Sequence, residues 1–252
     1  MPVTKPCSIL LALSISVPLL AQSAYYPELD ELKTSLGTVR VVERHRSVPM
    51  DQSLTVNGKV VYRSPMGIGI CSQFRIGDGV AVLFGENQGG NNWVWELSFL
   101  LLRPHRKPAV VTGQGFFSSD ATLEARQEGG DVFIDLGFEA KRKKTARLHA
   151  GEVIVELNPV TSVVPVSEET CERLHKYSAE DCIAMATWAK GQCQEHGREY
   201  SGGSVAVMSD ITTLEHHPGF SKEALGEICM RECKSGEIIQ YEQFKTRVCS
   251  IR

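Results

Sequence analysis

The residues with chemical reach in this chain are its cysteines and histidines. Of eight cysteines in 252 residues, six fall in the last third: Cys171, Cys182, Cys193, Cys229, Cys233 and Cys249. Thiols crowded in this way in a chain that leaves the cytosol oxidise to a disulfide framework. Cys71 stands apart, in Ile68-Gly69-Ile70-Cys71-Ser72-Gln73-Phe74. As a nucleophile it would need a base such as His45, His105 or His149 beside it; the commoner fate of a strand thiol is to be buried and unreactive. His216-His217 carry ligating nitrogens, yet no third ligand stands at a recognised spacing, and Pro218-Gly219 reads as the approach to a helix. Gly-x-Ser-x-Gly, His-Glu-x-x-His and Cys-x-x-Cys are all missing from the sequence. The turn-rich stretch from Gly85 to Asn92 lacks the lysine and following helix of a phosphate loop. The expectation is a protein without catalytic residues, cofactor or metal.

The elements that must position these residues divide in two. Residues 1–23 read as a signal peptide: Lys5, an apolar run from Ile9 to Leu20, then Ala21-Gln22-Ser23-Ala24 as a cleavage site. The run is short and interrupted by Ser14, Ser16 and Pro18, which argues against stable insertion across ~30 Å of hydrocarbon. Export to the periplasm follows, and Cys7 leaves with the segment. Residues 24–160 form a β-rich domain opened by a short helix from Pro27 to Leu36, with Gly37 as its stop. Leu54 to Val56, Asn57-Gly58 and Lys59 to Tyr62 make a hairpin, because Asn-Gly accepts the positive φ angles of a two-residue turn. Ile70 to Ile76, Val80 to Phe84, Trp93 to Leu102, Leu123 to Arg126, Val132 to Leu136 and Val153 to Leu157 are further strands. Turns fall at Gly129-Gly130 and Ala150-Gly151. On alternation, Ile68, Ile70, Ser72 and Phe74 share one face with Cys71 opposite, and Leu123 shares a face with Ala125.

Asn158 to Val166 is a linker, after which the apolar period lengthens to ~3.6. Residues 161–252 form the helical domain. A helix capped by Ser167 runs to His175, a second capped by Ser178 runs to His196, a third capped by Ser221 spans Lys222 to Lys234, and a fourth carries Ile238, Tyr241, Phe244 and Val248. Cys182 and Cys193 lie ~16 Å apart on one straight helix, Cys229 and Cys233 ~6 Å apart on another. A disulfide needs Cα atoms within about 4.4–6.8 Å, so Cys229 and Cys233 are expected to reach different helices, with Cys171 and Cys249 among the partners. The fold class is therefore α+β: an antiparallel β-sandwich or barrel-like domain followed by a small disulfide-stapled α-helical domain.

The formal charge of -3, which becomes -4 once Lys5 leaves with the signal, disfavours nucleic acid, whose phosphates need a basic face. Bases concentrate in Arg103-Pro104-His105-Arg106-Lys107 and in Lys141-Arg142-Lys143-Lys144, clusters that suit an acidic partner if they are more than solvated loops. Trp93, Trp95, Leu97 and Phe99 would line one strand face beside the asparagine loop, either as core or as a partner anchor. Asn87, Asn91, Asn92, Trp93, Trp95, Arg103, Arg106 and Lys107 are the candidate partner contacts.

The succession of Leu54-x-x-Asn57-Gly58-Lys59, Gly89-Gly90, Gly115-Phe116 and the Gly129-Gly130-Asp131 hairpin resembles small β-rich proteins of Gram-negative envelopes. The layout is similar to periplasmic immunity proteins against toxins of contact-dependent, type VI-like secretion, and to periplasmic lysozyme inhibitors. That resemblance implies a non-enzymatic, stoichiometric binder that covers the active site of a toxin enzyme such as a lipase or a peptidoglycan hydrolase. Two alternatives stand beside it: an envelope assembly or scaffold protein, and an exported enzyme without a recognised motif.

Overall fold

The computed structural model describes residues 22–25, 29–45, 48–87, 94–118, 122–162, 164–188, 193 and 211–250. Its β part contains fourteen strands: β1 Gln22–Tyr25, β2 Glu31–Thr34, β3 Gly37–His45, β4 Val48–Val56, β5 Lys59–Ser64, β6 Gly67–Ile76, β7 Gly79–Asn87, β8 Trp95–Leu102, β9 Ala109–Val111, β10 Phe117–Ser118, β11 Thr122–Glu128, β12 Asp131–Glu139, β13 Arg142–His149 and β14 Glu152–Asn158. They make three sheets, ordered β1-β11-β12-β13-β14, β10-β8-β7-β6 with β9 also on β8, and β2-β3-β4-β5, and every pairing is antiparallel.

The sheet of β6 to β10 lies between the other two, so the architecture is a three-layer stack and no closed barrel forms. Its strands are apolar on both faces, as a sheet covered twice must be. Ala81, Leu83, Leu97, Phe99 and Leu101 face Leu123, Ala125, Val132, Ile134, Ala146 and Leu148 of the five-stranded sheet. Val80, Val82, Phe84, Leu100 and Leu102 face Val39, Leu54 and Val56 of the four-stranded one. Phe99 anchors the first core, stacked on Phe116 at 5.6 Å and edge-on to Phe74 at 6.3 Å.

Three local expectations are corrected. No helix opens the domain: Glu31–Thr34 is a strand, and Gly37, at φ 137°, belongs to the β2–β3 hairpin. A Cβ on Gly37 would lie 2.4 Å from the Asn57 amide, which accepts the Thr38 N–H. That close approach, not a helix stop, explains the glycine. A bulge between Ile70 and Ser72 switches the face of β6, so Ile68 and Ile70 pack towards the four-stranded sheet while Cys71 joins Phe74 in the other core. The basic run after Ala140 is no solvated loop: Ala140 and Lys141, at φ 49° and 61°, turn the chain into β13. There the Lys144 ammonium is buried, 2.7 Å from Glu139 and 3.2 Å from the Phe117 ring centroid, and burial lowers its pKa.

The helical part contains α1 Glu168–Trp188, α2 Lys222–Ser235 and α3 Tyr241–Phe244, the last running into a π-helical turn, Lys245–Cys249. Helix α1 is continuous through Ser178, where two helices were expected, because no glycine or proline interrupts its backbone. Helix α2 matches its capping signals: the Ser221 hydroxyl accepts the Ala224 N–H, and Gly236 closes the end at φ 71°. Ile238 is exposed and Ile239 takes the buried place next to it. The Ile239 peptide is gripped from both sides, its N–H donated to buried Glu232 at 2.8 Å and its C=O accepting from His175 Nε2 at 2.9 Å.

Disulfides join Cys171 to Cys249, Cys182 to Cys229 and Cys193 to Cys233, with Cα separations of 6.2, 5.2 and 6.0 Å. Two of the bonds therefore run between the sets that the straight-helix argument had kept apart. Cys193 is itself helical, and residues 189–192, which join it to α1, lie outside the described residues, so whether Cys182 and Cys193 share one straight helix does too. Three disulfides belong to an oxidising compartment and to an exported chain. Among the described residues no helix is long and apolar enough to cross a membrane.

The two parts meet at the Ala140-Lys141 turn. The Lys141 N–H donates to the His216 carbonyl at 3.1 Å, its ammonium reaches the Phe220 carbonyl at 3.5 Å, and the His217 ring stands edge-on to Phe138 at 4.6 Å. His217 Nδ1 accepts the Gly219 N–H, so one of its nitrogens is committed locally. Burial, then Lys143 and Lys141, push the His217 pKa down to about 4.

Candidate functional site

The sequence contacts separate into two ends of one strand. Asn87 and Trp95 pair across β7 and β8 at one end, and Arg103 leaves β8 at the other. Seven steps of about 3.4 Å put ~24 Å between those ends, too far for one compact hot spot. Asn91, Asn92 and Trp93 lie outside the described residues. Trp95 is half-buried against the core with Leu97 and Phe99, as a shared strand face requires.

At the Trp95 end, Glu86 and Glu96 are direct cross-strand neighbours. The Tyr62 and Ser64 hydroxyls donate to the Glu86 carboxylate, which offsets part of the like-charge repulsion. Burial and then the bond to Glu86 raise the Tyr62 pKa. This acidic, tied-down rim is a different surface from the one at the far end of β8.

There, a cleft of about 360 Å³ opens between the β4–β5 hairpin and the β8–β9 loop. Leu36, Val56, Val61, Leu102 and Pro108 supply apolar walls, Lys59, Arg103 and Arg106 supply the charge, and His105 adds an imidazole. Among the described residues no carboxylate lines it. Two close approaches fix Arg103. Its Cγ lies 3.2 Å from where a Cβ on Gly79 would stand, and its guanidinium 3.1 Å from the corresponding point on Gly151. Side chains at either glycine would displace it. The loop itself bends through His105 at φ 57°, a conformation that costs a non-glycine residue about 1 kcal/mol or more. The Arg106 N–H closes the turn onto the Arg103 carbonyl at 3.3 Å. Lys107 is exposed next to the cleft. Lys59 was missed in sequence because it enters from a separate hairpin, although the Asn57-Gly58 turn that delivers it was legible.

The remaining chemical candidates are dispersed. Cys71 is held in the core beside the bulge, and burial pushes its thiol up to about 12, so it stays protonated at neutral pH. His149 Nδ1 lies 2.8 Å from Asp131 at the β13–β14 end. His105 is in the cationic loop, and His45 ends β3. Neither His105 nor His149 forms a hydrogen bond with Cys71 among the described residues. Comparison with protein-family models, curated proteins and solved structures returned no match.

Proposed function

We propose that this is an exported, periplasmic binding protein that neutralises an enzyme by stoichiometric contact, in the manner of an immunity protein or inhibitor, and that the cationic cleft receives an acidic group of that enzyme. One observation carries the reading: Lys59, Arg103 and Arg106, from two hairpin loops, line an apolar-walled cleft to which no acid contributes among the described residues. Cations that lose water only when a partner covers them, over an apolar floor, are the arrangement in which an interface arginine contributes most, and like-signed charge also steers association. The secreted toxin enzymes that suit the layout, lipases and peptidoglycan hydrolases, would be bound as proteins and not processed as substrates.

Copurification from periplasm followed by mass spectrometry identifies the partner, and the mature protein is then expected to inhibit it at one-to-one stoichiometry. Arg106→Glu should weaken the complex at least tenfold, with binding of the unaltered protein falling as salt rises. Recovery of wall or membrane components without inhibition of any enzyme would instead favour the scaffold reading and overturn this one.

A further inference from the structure

The cationic cleft has an apolar floor and a charged rim. Its floor belongs to the core between the four-stranded sheet and the sheet of β6 to β10: Val56 is 8% exposed and Leu102 3%, and Leu36 and Val61 pack against the same cluster. Lys59, His105 and Arg106 are exposed. The cleft is therefore the open end of an apolar core, ringed by cations. Register explains the placing of Lys59. Val56 and Lys59 are cross-strand partners, so the lysine side chain leaves β5 on the face that Val56 buries. A lysine so placed lays its methylenes along apolar surface and keeps its ammonium in water.

Two of the rim cations are uncommitted. Neither Lys59 nor Arg106 forms an ion pair among the described residues. Arg103 differs, since its guanidinium is turned to Gly151 at the β13–β14 turn. The volume, about 360 Å³, falls within the range of roughly 300–1,000 Å³ usual for small-ligand sites. An aspartate or glutamate side chain has only a short stem to set against that floor. A carboxylate on an alkyl chain answers both parts, its head at the rim and its tail along Val56, Val61 and Leu102.

We propose that the cleft binds a free medium-chain carboxylate, with its anionic head on Lys59 and Arg106 and its alkyl chain on the apolar floor. Such a ligand competes with the enzyme for the cleft, and that competition alone rests on the reading given above.

Octanoate is the probe, titrated into the full mature protein without any enzyme and followed by amide chemical shifts, beside acetate, octanol and octylammonium. Saturable shifts at the β4–β5 hairpin and the β8–β9 loop are expected, with each of the other three at least fivefold weaker. From butanoate through hexanoate to octanoate, affinity should rise by up to about fourfold for each added CH₂, as burial of a methylene requires. Lys59→Gln combined with Arg106→Gln should lower octanoate binding to the level of octanol. Both side chains are exposed, so the spectrum away from the cleft should remain that of the parent. Equal affinity for octanoate and octanol, a flat chain-length series, shifts centred elsewhere, or no saturable shift would each overturn the proposal. Should octanoate bind as described while no enzyme copurifies, the enzyme reading falls and this one stands; one-to-one inhibition of an enzyme without saturable octanoate binding does the reverse. A complex undiminished at saturating octanoate would overturn the competition.

Discussion

The β stack and the helical module reach order by opposite routes. The stack of β1 to β14 has two apolar cores, one on each side of the sheet of β6 to β10, and no disulfide among its described residues. The module has one core, in which all six bonded cysteines are buried, and a buried carboxylate, Glu232, held against the Ile239 N–H. Burial raises the Glu232 pKa even though that hydrogen bond opposes the shift. Area alone is enough for the first region. The second is small enough to need covalent links, each contributing about 2–4 kcal/mol chiefly by restricting the unfolded chain.

Reduction is the largest way to break that comparison. With all three disulfides reduced, the helical signal at 222 nm should collapse at 25 °C, while amide protection in β7 and β8 persists. Survival of α1 and α2 in the reduced protein would show that the module does not depend on its links. Next comes Phe99→Ala, which removes the ring between Phe74 and Phe116 and should cost about 3–5 kcal/mol in chemical unfolding of the stack, without loosening the module. A loss below about 1 kcal/mol would mean that the core between the sheets is not what holds them.

The contact between the regions gives a smaller, pH-dependent effect. Because the folded His217 pKa lies near 4, below the ordinary value of 6.5, the unfolded or undocked chain binds the proton more readily. Stability is therefore full above about pH 6.5 and declines as pH falls towards 4, by roughly 1–2 kcal/mol after allowance for solvent screening at a half-buried ring. His217→Gln should flatten that decline, and an unchanged profile would remove His217 as its source. The smallest effect is a gain: Ala140→Gly relieves one positive-φ position and should raise the urea midpoint by the equivalent of about 0.5–1 kcal/mol. A fall in the midpoint would show that the turn is not strained.

Legibility in the sequence followed local chemistry. Asn57-Gly58, Gly129-Gly130 and Ala150-Gly151 announced their hairpins because glycine marks positive φ. The Ala140-Lys141 turn carries no such mark, which is why β13 was read as a charged loop although Thr145, Arg147 and His149 alternate with buried residues. The apolar run from Val80 to Phe84 signalled a strand, but its absence of alternation also signalled two covered faces, and hence three layers. The Cys71 bulge left no local trace, since one inserted residue depends on the partner strand. The candidate cleft is not visible as a unit in the sequence: Arg103 and Arg106 stand together there, while Lys59 joins them only through the fold. The helix expected from Pro27 to Leu36 hides the four-stranded sheet, although polar Thr38, Arg40, Ser53 and Thr55 alternate with Val39, Val41 and Leu54 as a half-exposed strand pair does.

The doubly covered sheet has a kinetic consequence. Strands β7 and β8 have seven and six consecutive buried positions, starting at Gly79 and Leu97, and no charge within them. Until both outer sheets close, these segments are adhesive ribbons, and closure requires partners from Val39 to Leu148, far apart along the chain. Slow, late assembly follows from such distant pairings, with exposed strands as the hazard in the interval. A chain exported before folding would thus spend its most vulnerable moments in transit, where a holdase for extended apolar segments would raise its yield more than any oxidant acting on the cysteines.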